Sequence, residues 1–263
     1  MRTVLPSVAI ALLFILARAA AADPGPKHPP VSRNELPFSA GEKLTYSISW
    51  SNIVQAGTAV MEVNEEKTPD GEKTYRFTST ARSAGMVHKF YKVADRIDSV
   101  VDGKTLSSLS FHLDQSHGKR KKKRDMTFDH KNRTVFVRAD GKEATYSVPD
   151  NTQDALSALY YLRTIPALPD GETITFNVHD DNKTWQVDVQ VLGREKITTS
   201  LGETMAIKLR TYPKYEGVFQ NKGEIYFWLT DDARRIPVLM KSVISIGSIV
   251  TTLVDLKPGE QNK

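Results

Sequence analysis

The feature that most restricts the fold is a two-residue rhythm of apolar side chains, broken at short intervals by Asp-Gly and Asn-containing turns. Leu44, Tyr46, Ile48 and Trp50 alternate with Thr45, Ser47 and Ser49, and GTAVMEV (57–63) resumes after a short connection. Neighbours in an extended strand point to opposite faces, so this spacing offers one face to a core and the other to water. Asp70-Gly71 then punctuates the chain before TYRFTSTARS, where Tyr75 and Phe77 share a face. RIDSVVDGK and TLSSLSFHLD turn about Asp102-Gly103, and RDMTFDHKNRTVFVRADGKEATYSV reads as three strands divided at Lys131-Asn132 and Asp140-Gly141. Such residues accept positive backbone angles or bond their own backbone, which suits hairpin turns.

The final third repeats the pattern in ETITFNVHD, KTWQVDVQVLG, ETMAIKLRTY, GEIYFWLTD and PVLMKSVISIGSIVTTLVDL. One segment departs from it. NTQDALSALYYLRTIPAL offers Asn151 or Thr152 as an N-cap, Asp154 in the first turn, and an apolar face of Ala155, Leu156, Leu159 and Leu162 stopped by Pro166. A short helix from about Gln153 to Arg163 is expected, packed on the sheet. The expected body is mainly β: ten or more strands in a large curved antiparallel sheet forming a sandwich or barrel-like body, with that one packed helix.

Domain organisation follows from composition. Arg2 precedes a 14-residue apolar run from Val4 to Ala17, and small residues follow to Ala22. This is the pattern of a secretory signal peptide over residues 1–22, and the run is short for a bilayer crossing. Retention as a membrane anchor is the alternative; no later segment is both long and uncharged enough to span. Residues 23–38 form a proline-rich linker, with prolines at 24, 26, 29 and 30 favouring an extended spacer. A single β-rich domain over 39–256 and a polar tail over 257–263 complete the division.

Charge and cysteine count narrow the chemistry. The chain carries 36 basic and 31 acidic residues, formally +5; without residues 1–22 it loses Arg2 and Arg18 but no acid and stands at +3. Balance this close, on an exported chain, argues against a nucleic-acid partner. There is no cysteine, so disulfides, a thiol nucleophile and a lipid-bearing cysteine are excluded and cohesion must come from a core.

Catalytic signatures are weak. His112 and His117 lie five apart while His28, His88, His130 and His179 are dispersed, with no HExxH spacing, so no metal site is expected. No GxSxG, GxGxxG or GxxxxGK occurs, and no cofactor is expected. Asp231 and Asp232 are adjacent near a turn followed by Arg234, Arg235 and Pro237; they read as a hairpin whose acids cap amides or pair with arginine, and only secondarily as an acid-base pair. Two features remain for binding. The run Lys119, Arg120, Lys121, Lys122, Lys123, Arg124 reads as a solvated basic surface on a long hairpin loop, able to draw anionic lipid headgroups, lipopolysaccharide, polysaccharide or another envelope protein. The aromatics Trp50, Tyr160, Tyr161 and Trp228, with Phe90, Tyr91 and Tyr226 as weaker members, are candidates for the wall of an apolar groove, or else core.

Three blocks in order, LTYSISWSNIVQAGTAVMEV, DALSALYYLR and NKGEIYFWLTDDARRIPVLMKS, resemble the exported-protein family named domain of unknown function 3108, over roughly residues 39–256. The family-like positions are Trp50, Gly57, Asp154, Tyr160, Tyr161, Arg163, Trp228, Thr230, Asp231, Asp232, Arg235, Pro237 and Gly247. The resemblance implies a β-rich protein of the periplasm, or the periplasmic face of the outer membrane, in Gram-negative bacteria; it implies no reaction, ligand or catalytic set. The expected function is a noncatalytic envelope binding or assembly protein for an amphipathic or anionic ligand. The alternatives are an envelope hydrolase acting on a glycan or lipid derivative and a purely structural interaction domain.

Overall fold

A computed structural model of the chain describes residues 36–180, 182–213, 224–244 and 247–260. The expected leader, most of the proline-rich spacer and residues 261–263 of the tail lie outside the described residues. Within them run fourteen strands: β1 Lys43–Trp50, β2 Val54–Lys67, β3 Lys73–Ser83, β4 Val93–Asp102, β5 Ser108–His117, β6 Arg120–Asp129, β7 Thr134–Ala139, β8 Lys142–Ser147, β9 Thr173–Asp180, β10 Lys183–Thr199, β11 Gly202–Pro213, β12 Ile225–Thr230, β13 Pro237–Ile244 and β14 Gly247–Lys257. Two helices interrupt them, α1 Gly85–Phe90 and α2 Ala155–Arg163. The run 237–256 splits into β13 and β14.

All fourteen strands join one antiparallel sheet in the order β8-β7-β6-β5-β4-β3-β2-β1-β14-β13-β12-β11-β10-β9. The chain meanders outward from β1 to β8, crosses through α2 to the far edge at β9, and meanders back until β14 pairs with β1, placing Lys43 opposite Lys257. The expectation of a curved sheet forming a sandwich or barrel-like body is therefore corrected: the sheet is one open array, neither divided into two facing sheets nor closed edge to edge. The reason lies in the edge strands. β8 (KEATYS) has no buried residue and begins with the charged pair Lys142 and Glu143, devices that keep an edge from pairing. At β9 a parallel bridge from Gln153 to Val178 takes the edge, with Gln153 N donating to Asn177 O at 2.9 Å and His179 N to Gln153 O at 2.8 Å.

Helix α2 packs on the apolar face of the sheet, against β3, β4 and β9. Its cap is Asp154 rather than Asn151 or Thr152: the carboxylate Oδ1 accepts from Leu156 N at 2.8 Å and Ser157 N at 2.9 Å, and Ser157 closes a capping box. The other oxygen, Oδ2, accepts from Ser99 of β4 at 2.6 Å and Ser108 of β5 at 2.8 Å, so one side chain both starts the helix and ties it to the sheet. Burial pushes the Asp154 carboxyl above its ordinary range, although these donors pull the other way.

Successive residues of α2 serve two parts of the core. Tyr160 stacks on Phe77 of β3, with centroids 3.8 Å apart, inside the cluster of Leu44, Tyr46, Met61 and Phe111. Tyr161 packs edge-on to Phe176 of β9, inside the cluster of Val187, Val191, Ile207 and Leu209. At the helix C-terminus Arg163 is buried and paired doubly with buried Glu42, at 2.7 and 2.9 Å, while its remaining hydrogens reach the carbonyls of Pro37 and Arg234. Burial works against the guanidinium, but the Glu42 bonds outweigh it and hold the charge more firmly than usual.

Candidate binding surface

The expected groove wall does not assemble. Tyr160 and Tyr161 are buried in separate clusters, and burial raises the phenol of Tyr161 to about 12. Trp228 is buried on β12, its indole donating to Glu195 Oε1 at 2.6 Å with Lys208 Nζ 5.2 Å over its ring. Trp50, half-buried, closes β1 and lies against Gly247; a Cβ there would sit 2.7 Å from the indole nitrogen. The structure spends three of these four rings on packing.

The acidic pair is also structural. Asp231 binds Arg194 at 2.9 Å and Arg235 at 3.4 Å, and Asp232 accepts from Thr230 at 2.6 Å and from Arg234. Burial would raise the Asp232 carboxyl, yet the Thr230 and Arg234 donors outweigh it and hold the group below its usual range. His112 and His117 sit on β5 with different partners, Asp125 at 2.6 Å and buried Asp95 at 2.7 Å. Among the described residues no group of three or more His, Asp or Glu side chains could hold a metal ion.

The basic run does form a surface, with two corrections. It is not a long loop: β5 ends at His117, Gly118 takes a left-handed φ of 60°, and β6 begins at Arg120. Strand alternation then sends its six cations to two faces. Lys119, Arg120, Lys121 and Lys123 are exposed and Lys122 is half-buried, but Arg124 is fully buried and pairs with Asp180 of β9 at 2.5 Å, a side-chain contact between the two arms of the sheet. Arg124 therefore leaves the electrostatic surface. Lys123 bridges Asp114 at 3.1 Å, which neutralises part of its charge.

Beside this hairpin stands an element the sequence rhythm does not signal. Helix α1 has no buried residue and no side-chain cap. It is tied down at both ends by backbone: Ala84 N donates to Ala56 O of β2 at 2.9 Å, and Gly118 N donates to Lys92 O just past the helix at 2.7 Å. Gly118 also lies against the Tyr91 ring, 3.6 Å from where its Cβ would be. On the other flank the β1–β2 hairpin turns through Ser51 and Asn52, at φ 48° and 58°, with Ile53 N donating to Trp50 O at 2.9 Å. One end of the sheet thus presents three neighbouring segments, 51–57, 82–92 and 117–124. Together they hold nine Lys or Arg residues and no Asp or Glu.

Comparison with known proteins gives a family and a fold. The family model described as Protein of unknown function (DUF3108) matches residues 45–254. No curated protein matches. Among solved structures, a β-barrel-like protein of domain of unknown function DUF1849 from Brucella abortus is 13% identical, with 85% of this chain and all of that one covered and a TM-score of 0.56. The hypothetical protein CT021 from Chlamydia trachomatis is 6% identical, with 86% and 90% covered and a TM-score of 0.38. The Brucella match shows a shared fold; the barrel-like description is that protein's, whereas here the β8 and β9 edges do not pair.

Proposed function

Because the chain belongs to the DUF3108 family, we propose that it is an exported, noncatalytic binding or assembly protein of the Gram-negative envelope that engages an anionic component through its β5–β6 hairpin. The leader pattern over residues 1–22 supports export to the periplasm. One observation carries the binding reading: Lys119, Arg120 and Lys121 are all exposed at a hairpin tip whose neighbouring segments contain no acid to neutralise them. Such a cluster draws anionic surfaces over about a Debye length, near 10 Å at moderate salt. In the described residues no helix is long and apolar enough to cross a membrane.

The test is association with anionic vesicles and with lipopolysaccharide as salt is raised, comparing the native chain with Lys119→Gln/Arg120→Gln/Lys121→Gln. Arg124 stays untouched, since its charge is committed to Asp180. At about 1 kcal/mol for each cation near an anionic surface, the triple variant is expected to bind roughly a hundredfold more weakly and with a shallower salt dependence. Equal binding by both proteins refutes the assignment.

A further inference from the structure

The same end of the sheet carries exposed apolar side chains that the core does not use. Ile53 is 85% exposed, Phe90 83% and Met86 69%, with Val54 beside Ile53 also open to water. These are among the most exposed large apolar residues described, and they gather at one end. Met86 and Phe90 are four apart, on one face of α1, while Val87 turns inward against the core. Ile53 heads the adjoining hairpin, whose strand β2 holds the base of α1 through Ala56, and a Cβ on Gly85 would stand 4.0 Å from Gln55 O. Exposed Lys89 and Lys92 bracket Phe90, and the Lys119–Lys121 tip follows immediately through the Gly118 to Lys92 bond.

We propose that this end of the molecule is a bilayer-docking face: Ile53, Met86 and Phe90 enter the headgroup region of an anionic lipid leaflet while Lys89, Lys92 and the β5–β6 tip hold the phosphates around them. The inference rests on the anionic-ligand reading above and names its substrate class as lipid in a membrane. Apolar points alternating with lysines fit a water–lipid boundary, where the stems lie in the acyl margin and the charges stay at phosphate depth. They fit a protein partner poorly, because lysine is depleted from the desolvated centre of protein interfaces. Charge complementarity sets the choice: the three segments offer cations alone to whatever covers them.

The experiment uses the full chain purified after export, with phosphatidylcholine vesicles containing or lacking phosphatidylglycerol, and soluble glycerophosphate as the headgroup without the bilayer. Ile53→Ser/Met86→Ser/Phe90→Ser is expected to partition onto anionic vesicles at least tenfold more weakly than the native chain, with an unchanged melting temperature. Phe90→Trp is expected to shift its emission to the blue on anionic vesicles and not with glycerophosphate. Should the triple serine variant bind as the native chain does while the lysine variant fails, contact is electrostatic only and the docking face is overturned with the anionic-ligand reading intact. Undiminished vesicle binding by every variant together with no Phe90→Trp blue shift, or no vesicle binding by the native chain, overturns both. A Phe90→Trp shift that appears on self-association without lipid assigns the face to a second copy and likewise overturns it; this reporter serves even where the triple variant fails to fold.

Discussion

The two helices among the described residues have opposite fates, and the contrast separates what the fold consumes from what it leaves available. In α2, seven of the nine residues are buried, the cap is a buried aspartate held by two strands, and the last residue is a buried arginine with a dedicated glutamate. In α1, six residues long, none is buried, no side chain caps the start, and Met86 and Phe90 point outward while only Val87 leans on the core. Both helices contain aromatic and basic residues. What differs is the partner: Tyr160 has Phe77 and Arg163 has Glu42, whereas Phe90, Lys89 and Lys92 face solvent. Residues with partners inside the chain are accounted for by stability, whereas Lys89 and Phe90 of α1, and Lys92 just past it, stay open to solvent.

The contrast breaks or sharpens on a graded series of variants. The largest effect is expected from Arg163→Met, which leaves Glu42 charged and buried without its partner; the loss is about 3–5 kcal/mol, or roughly 10 °C in melting temperature for a chain of this size. Next, Asp154→Ala removes the cap and leaves the Ser99 hydroxyl without its carboxylate acceptor, costing about 2 kcal/mol in chemical denaturation. The companion Asp154→Asn separates charge from cap. Because burial raises this carboxyl in the folded state, its contribution is greatest below the ordinary carboxylate range and is lost as pH rises through the folded value. Stability profiles from acid to neutral pH should therefore fall less steeply for Asp154→Asn than for the native chain. The smallest effect is reserved for α1: Met86→Ser/Phe90→Ser should change unfolding free energy by no more than about 0.5 kcal/mol. A loss there as large as that of Asp154→Ala would place α1 within the stabilising core and dissolve the distinction.

Much of this was legible in the chain. Leu44, Tyr46 and Ile48 are buried on one face as their spacing requires, and the turns at Asp70-Gly71, Asp102-Gly103 and Asp140-Gly141 separate strands as expected. Helix α2 ends at Arg163 as read, and only its cap moved, from Asn151 or Thr152 to Asp154. What could not be read depends on residues far apart in sequence. Whether the sheet closes is decided at β8 and β9, where Gln153 occupies an edge that strand patterns alone leave vacant. Arg124 looks like one more surface cation until Asp180, 56 residues later, is seen beside it. Helix α1 is too short for a helical period to emerge, and its glycine and isolated apolar residues resemble a connection. The surface aromatics were sought in Tyr160, Tyr161 and Trp228, whose neighbours bury them; of the rings named, Phe90 is the one the structure leaves open, and the absence of acids through residues 82–92 was the available sign.

The adjacency of β1 and β14 bears on how the polypeptide reaches its final form. Because the first and last of the described strands are hydrogen-bonded partners at the middle of the array, β1 keeps one side unsatisfied until β14 has been made. Contacts spanning more than two hundred positions make assembly slow relative to local hairpins. An array wired this way reaches its final pairing only when its two meanders meet along β1 and β14.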